Sequence, residues 1–139
     1  MFGNHAIVTI TGKTWDEAAI ATAGGPHSVA GATFTTEYRG GIEGTSICGL
    51  LIAYVEGDPA HPDSLVGPYT GFEQVTGVLD GRSGTFVLAA SGNHAGGVAR
   101  TTVEVVEGSG TGELAGLRGA GSYAADAMEY TLSLDYDLG

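Results

Sequence analysis

Positive charge is scarce in this 139-residue chain: five Lys and Arg stand against 16 Asp and Glu, a formal net charge of −11. So acidic a surface lacks the basic face that displaces phosphate counterions. Nucleic acid is therefore excluded as a partner, and an anionic membrane is equally disfavoured. Acids on outward strand faces have a plainer use, as a guard against edge-to-edge association. Cysteine occurs once, at Cys48, so no internal disulfide can form and no secreted disulfide scaffold is indicated. Met1 to His5 lacks the basic and apolar blocks of a signal peptide. No apolar run approaches the roughly 20 residues of a membrane span. The expected setting is reducing and cytoplasmic. Histidine is sparse as well: His5, His27, His61 and His94 form no HxH or HExxH pattern, so no metal site is expected.

Glycine is what the chain has in excess, 25 residues spread without a G-X-Y period among β-branched neighbours. That pattern excludes collagen and disorder, and suits bent strands joined by tight turns. A single domain, residues 1–139, is expected, long enough to bury about two-thirds of the unfolded surface.

The most legible stretch is Tyr69 to Val106. Gly71–Leu79, Thr85–Ser91 and Val98–Val106 read as three consecutive antiparallel strands, divided by Asp80-Gly81 and Gly96-Gly97 turns. Ala6–Thr11 alternates as a first strand. Trp15–Thr22 fits either a helical face or an Ala-rich strand, and the all-β context favours the strand. Ser28–Tyr38 and Ile42–Val55 read as strands, the latter apolar on both faces past Ile47 and so expected to be covered on both sides. Glu56–Pro68, with Pro59, Pro62 and Pro68, reads as the longest loop. After the corner Gly108–Gly112, strands are expected near Ala120–Ala124 and over Met128–Asp137. The last places Met128, Tyr130, Leu132, Leu134 and Tyr136 on one face. Hairpin spacing without a long helix predicts a closed antiparallel up-and-down β-barrel of about eight strands, with a sandwich as the alternative.

Glu73 is the leading candidate for chemistry. It shares a strand face with Gly71, Val75, Gly77 and Leu79. If that face turns inward, burial raises its pKa and poises it for proton transfer. On an outward face it would cap solvent or pair with Arg82 or Arg100. Glu43 could supply a second carboxylate at the same rim. Tyr38, Tyr54, Tyr69 and Tyr130 could offer phenolic donors, although a strand tyrosine commonly serves as a core ring. Trp15, Phe86 and Met128 complete the set that could contact a ligand, with packing the plainer role for Trp15 and Phe86. Cys48 reads as a small apolar residue. Gly108-Ser109-Gly110-Thr111-Gly112 lacks the Lys-Ser/Thr of a phosphate loop.

Several of these segments resemble a bacterial family of small barrels, the domain of unknown function DUF3224. They are Gly71-Phe72-Glu73-Gln74-Val75-Thr76-Gly77, Gly81–Leu88, and Gly108–Gly119 with its Gly-Thr-Gly-Glu-Leu block. Thr14-Trp15-Asp16-Glu17 and Gly41-Ile42-Glu43-Gly44 fit the pattern too. The similarity spans nearly the whole chain and departs in the Pro- and His-bearing stretch from Gly57 to Pro68. That family in turn is similar to the allene oxide cyclase-like, calycin-like barrel and to dirigent proteins. The resemblance implies an eight-stranded barrel with an apolar cavity, a homo-oligomer (dimer or trimer), and chemistry without metal or organic cofactor.

The expectation that follows is a cofactor-independent cyclase or isomerase for a small hydrophobic, polyene- or polyketide-like substrate. Glu73 would be its acid/base, with Glu43 in support and Tyr54 or Tyr130 donating a hydrogen bond. The alternative is a non-catalytic barrel that binds a small hydrophobic ligand. A third reading is a barrel plugged by side chains, with a cavity below about 300 Å³.

Overall fold

Two glycine-bearing turns start the sheet. Asp80 (φ 53°) and Gly81 (φ 74°) both adopt positive φ, as do Gly96 and Gly97 (60° and 75°). This is the geometry of two-residue hairpin turns whose twist matches that of the strands they join. The computed structural model describes residues 2–139 and is all-β, with one short 3-10 turn at Gly112–Leu114. The strands are β1 (Asn4–Gly24), β2 (His27–Gly40), β3 (Ile42–Tyr54), β4 (Glu56–Asp58), β5 (His61–Leu79), β6 (Arg82–Ala95), β7 (Val98–Val105), β8 (Arg118–Ala125) and β9 (Glu129–Asp137).

They form a nine-stranded antiparallel sheet in the order β3-β2-β1-β9-β8-β7-β6-β5-β4. A further pairing of β3 with β5 joins the two sides, so all strands but β4 close into a ring. Closure removes the unpaired edges that an open sheet would expose. Some backbones approach very closely at this seam. A Cβ on Gly71 would lie 1.9 Å from the Gly49 carbonyl oxygen, so only glycine fits there.

The alternation read from the sequence sets which side chains enter the ring. On β9, Leu132, Leu134 and Tyr136 are buried, as the period-two pattern predicts. Val8, Ile10, Ile42, Val75, Leu79, Phe86, Leu88, Val103 and Val105 join them in one continuous core. Each such side chain stabilises the fold by about 1.5–3 kcal/mol on burial. This core fills only one half of the ring. Its end is closed by Leu114 and Leu117, both 1% exposed, from the segment between β7 and β8. The Gly108–Gly112 corner leads into that plug, and Thr111 N–H donates to the Thr85 carbonyl at 2.8 Å.

The other half is built differently. β1 pairs with β9 only from Asn4 to Thr11. A register shift between Gly12 and Thr14 then carries β1 onward with β2 alone. Trp15–Thr22 is thus a strand, the continuation of β1. Two expectations are corrected. Glu56–Pro68 is not a loop: β4 and the start of β5 pair across a turn at Pro59-Ala60. Nor is β3 covered on both faces, since Ile47 and Leu51 are 66% and 54% exposed on its outer side. Among the described residues, no helix is long and apolar enough to cross a membrane.

Candidate functional site

The open half of the ring encloses a cavity of about 710 Å³. Its walls come from the inward positions of successive strands. Ala30 and Phe34 stand on β2, Leu50, Ile52 and Tyr54 on β3, Tyr69 on β5, Ala99 on β7, and Tyr123 and Ala125 on β8. Small residues on β2, β7 and β8 leave the space that the bulky core residues fill in the other half. Trp15 stacks on Phe34, with ring centroids 4.9 Å apart, and stays 53% exposed at the mouth. Tyr123 and Tyr130 pack together at 4.8 Å.

Where the cavity meets the solid core, a layer of polar side chains crosses the ring. Glu73 lies in it, only 2% exposed and opposite Cys48 and Leu88 on the flanking strands. Of the two placements left open for its face, inward or outward, the structure has the inward one. Tyr38 OH donates to Glu73 Oε2 at 2.5 Å, and the Ser46 hydroxyl stands beside the same carboxyl group. Ser46 Oγ is 2.5 Å from Thr36 Oγ1, and Thr36 reaches the cavity wall. Tyr69 OH and Thr101 Oγ1 form another pair at 2.6 Å. Among the described residues no buried side-chain nitrogen or oxygen lacks a partner. The layer is therefore a satisfied network, the condition under which buried polar groups cease to be a penalty.

Burial raises the pKa of Glu73; the hydroxyls of Ser46 and Tyr38 act against that rise without cancelling it. Tyr38 is pushed up as well, first by burial and then by the neighbouring Glu73 charge. Burial raises Tyr69, Tyr123 and Tyr130 in the same way, so these phenols are donors held in the protonated form. Cys48 shifts upward for the same reason, which makes it a poor nucleophile.

The remaining sequence candidates separate by place. Trp15, Tyr54, Met128 and Tyr130 line the cavity. Tyr54 OH donates to Glu17 Oε2 at 2.7 Å, and Trp15 Nε1 donates to Glu17 Oε1 at 3.1 Å. Tyr38 is 1% exposed and meets Glu73 behind the cavity floor rather than in the cavity. Two candidates fall elsewhere. Phe86 is fully buried in the solid core, because its inward position lies in the half that large residues fill. Glu43 is exposed on the outer face of β3, where it accepts the Gly40 N–H. It belongs to the β2–β3 turn and does not pair with Glu73. Arg100, an alternative partner for Glu73, is exposed on an outward position, and Arg82, the other, is exposed beside the β5–β6 turn, opposite Leu79.

Thr36, Ser46, Thr101 and Tyr123 were not anticipated. A signal existed for two of them: Thr36 follows Ala30, Ala32 and Phe34 on one face of β2, and Ser46 precedes Cys48, Leu50 and Ile52 on one face of β3, so each is a small hydroxyl beside an apolar run. Among the described residues, no group of three or more His, Cys, Asp or Glu side chains converges as metal ligands would.

The model of a family described as "Protein of unknown function (DUF3224)" matches residues 6–136. A solved structure of similar fold is a DUF3224 protein of unknown function from Shewanella oneidensis MR-1. It is 27% identical, with a TM-score of 0.72 over 96% of this chain and 98% of that one. No curated protein matches the chain.

Proposed function

We propose, for a chain that belongs to the DUF3224 family, that the open half of the ring binds one small hydrophobic molecule. The observation that carries this reading is the cavity itself. About 710 Å³ is within the usual range for ligand sites, and aromatic and aliphatic walls with a few hydroxyls are their usual composition. On this reading the ring is a calycin-like barrel of the allene oxide cyclase-like kind. The lone, buried Cys48 suits the reducing, cytoplasmic setting that belongs to the same proposal. The test is native mass spectrometry of the freshly purified protein, beside the variant Ala99→Phe, which fills part of the cavity. The parent should carry or take up one small apolar molecule and the variant should not. Equal occupancy of both would remove the cavity from the account.

A second reading, a cofactor-independent cyclase or isomerase, is favoured by one observation. Ser46, beside Glu73, is hydrogen-bonded to Thr36 on the cavity wall. A proton could pass between a bound substrate and Glu73 along these hydroxyls, while the walls hold the substrate in a reactive conformer. In that case Glu73→Gln lowers turnover by about 10² or more with binding preserved. Recovery of the ligand unchanged after long incubation leaves binding alone.

The homo-oligomer belongs to the proposal too. Ile47, Leu51 and Phe72 are 66%, 54% and 61% exposed on the shared outer face of β3 and β5. Such a patch suits contact with a second copy.

A further inference from the structure

We infer that the ligand bears a cationic end, an amine or quaternary ammonium on an apolar body, and that this end sits at the cavity mouth. The inference rests on the hydrophobic-ligand reading above and specifies the ligand's charge. Two carboxylates, Glu17 and Asp63, line the cavity, and none of the chain's five Lys and Arg does. Lys13 is paired with Glu37 at 3.4 Å and Arg39 lies 3.8 Å from Glu129, both away from the cavity. The one imidazole on the wall, His94, has Nδ1 bonded to the Leu65 carbonyl at 2.7 Å.

Glu17 is held in place by Trp15 Nε1 and Tyr54 OH, one on each oxygen. An ionised carboxylate offers about four acceptor sites, so two bonds leave it free to receive an ammonium. Trp15, Phe34 and Tyr54 beside it supply aromatic faces, which attract cations through the ring quadrupole. Mouth and walls thus combine the two recognition elements of an organic cation with a long apolar chamber for its body.

An anionic amphiphile meets the opposite conditions at both ends of the cavity. At the mouth its carboxylate faces Glu17 and Asp63. At the floor it would be buried without a cation to pair with, near Glu73, at a cost that ordinary binding does not recover. The hydroxyls of Thr36, Ser46, Tyr69 and Thr101, by contrast, are bonded in pairs, so an apolar tail end strips none of these four.

The test uses three probes with one ten-carbon body: decyltrimethylammonium, decanol and decanoate. Trp15, the chain's single tryptophan, reports binding at the mouth by its fluorescence. At low salt the ammonium should bind at least about tenfold more tightly than the carboxylate, with the alcohol between them. That ratio should fall towards unity in Glu17→Gln/Asp63→Asn, and in Asp63→Asn it should fall part of the way. Raising the salt should also reduce it. Decanoate binding as tightly as the ammonium, or a ratio unmoved by the double substitution, overturns the inference and leaves the cavity reading standing. Failure of all three probes to bind overturns the cavity reading, and this inference with it.

Discussion

Replacing Glu73 by Gln isolates the energetics of the buried acid. The side chain is 2% exposed, and burial sets its folded pKa above the ordinary value of 4.5. Between those two pKa values the unfolded chain has released a proton that the folded chain keeps. Stability therefore falls as pH rises through that window, by up to about 1.4 kcal/mol per pH unit for this one group. Above the folded pKa the loss levels off. Gln keeps the shape and an acceptor for the Tyr38 hydroxyl but has no proton to lose. The variant should accordingly gain on the parent with that slope, then stop gaining where the parent's Glu73 ionises. Urea unfolding of both proteins at steps from about pH 4 to about pH 8 gives the difference curve, from which the other acids cancel. A flat curve, or a variant that loses ground as pH rises, would refute the reasoning: the fold would then favour the charged form.

Tyr38→Phe removes a donor to the carboxylate, so it should cost about 1–3 kcal/mol once Glu73 is ionised and move the break in that curve to higher pH. Phe86→Ala should cost about 3–5 kcal/mol by leaving a void in the solid core, whereas Trp15→Ala, at a half-exposed site, should cost about 1 kcal/mol or less and weaken ligand uptake; urea midpoints and probe titrations separate the two. Phe72→Lys should shift sedimentation towards the monomer and remove any dependence of the urea midpoint on protein concentration, because the ring lies on the outer face.

Local chemistry made most strands readable. Asp80-Gly81 and Gly96-Gly97 turn the chain wherever they occur, and the apolar alternation of β9 requires only that one face be covered. Glu73 could be assigned to the face of Val75 and Leu79, but whether that face turned inward stayed open until closure of the ring buried it. What remained hidden depends on partners far along the chain. Tyr38 meets Glu73 only because β3 pairs with β5, a closure that no local pattern encodes. The prolines of residues 56–68 misled for a specific reason. Pro59 occupies the turn, and Pro68 falls between the last residue paired with β4, Val66, and the first paired with β3, Tyr69. A missing N–H is tolerated at such a gap. Phe86 has the packing role that was its plainer reading; its second reading, as a ligand contact, fails because alternation gives a side chain's face, not its depth along the ring.

The central claim, that one half of the ring is hollow and receives a small apolar molecule, is tested most directly by methyl NMR during addition of decanol. The methyl signals of Ala30, Leu50 and Ile52, on the cavity wall, should shift and saturate together at one equivalent, while those of Val75, Leu79, Leu132 and Leu134 stay in place. Shifts confined to the outer residues Ile47 and Leu51, or none at all, would contradict it.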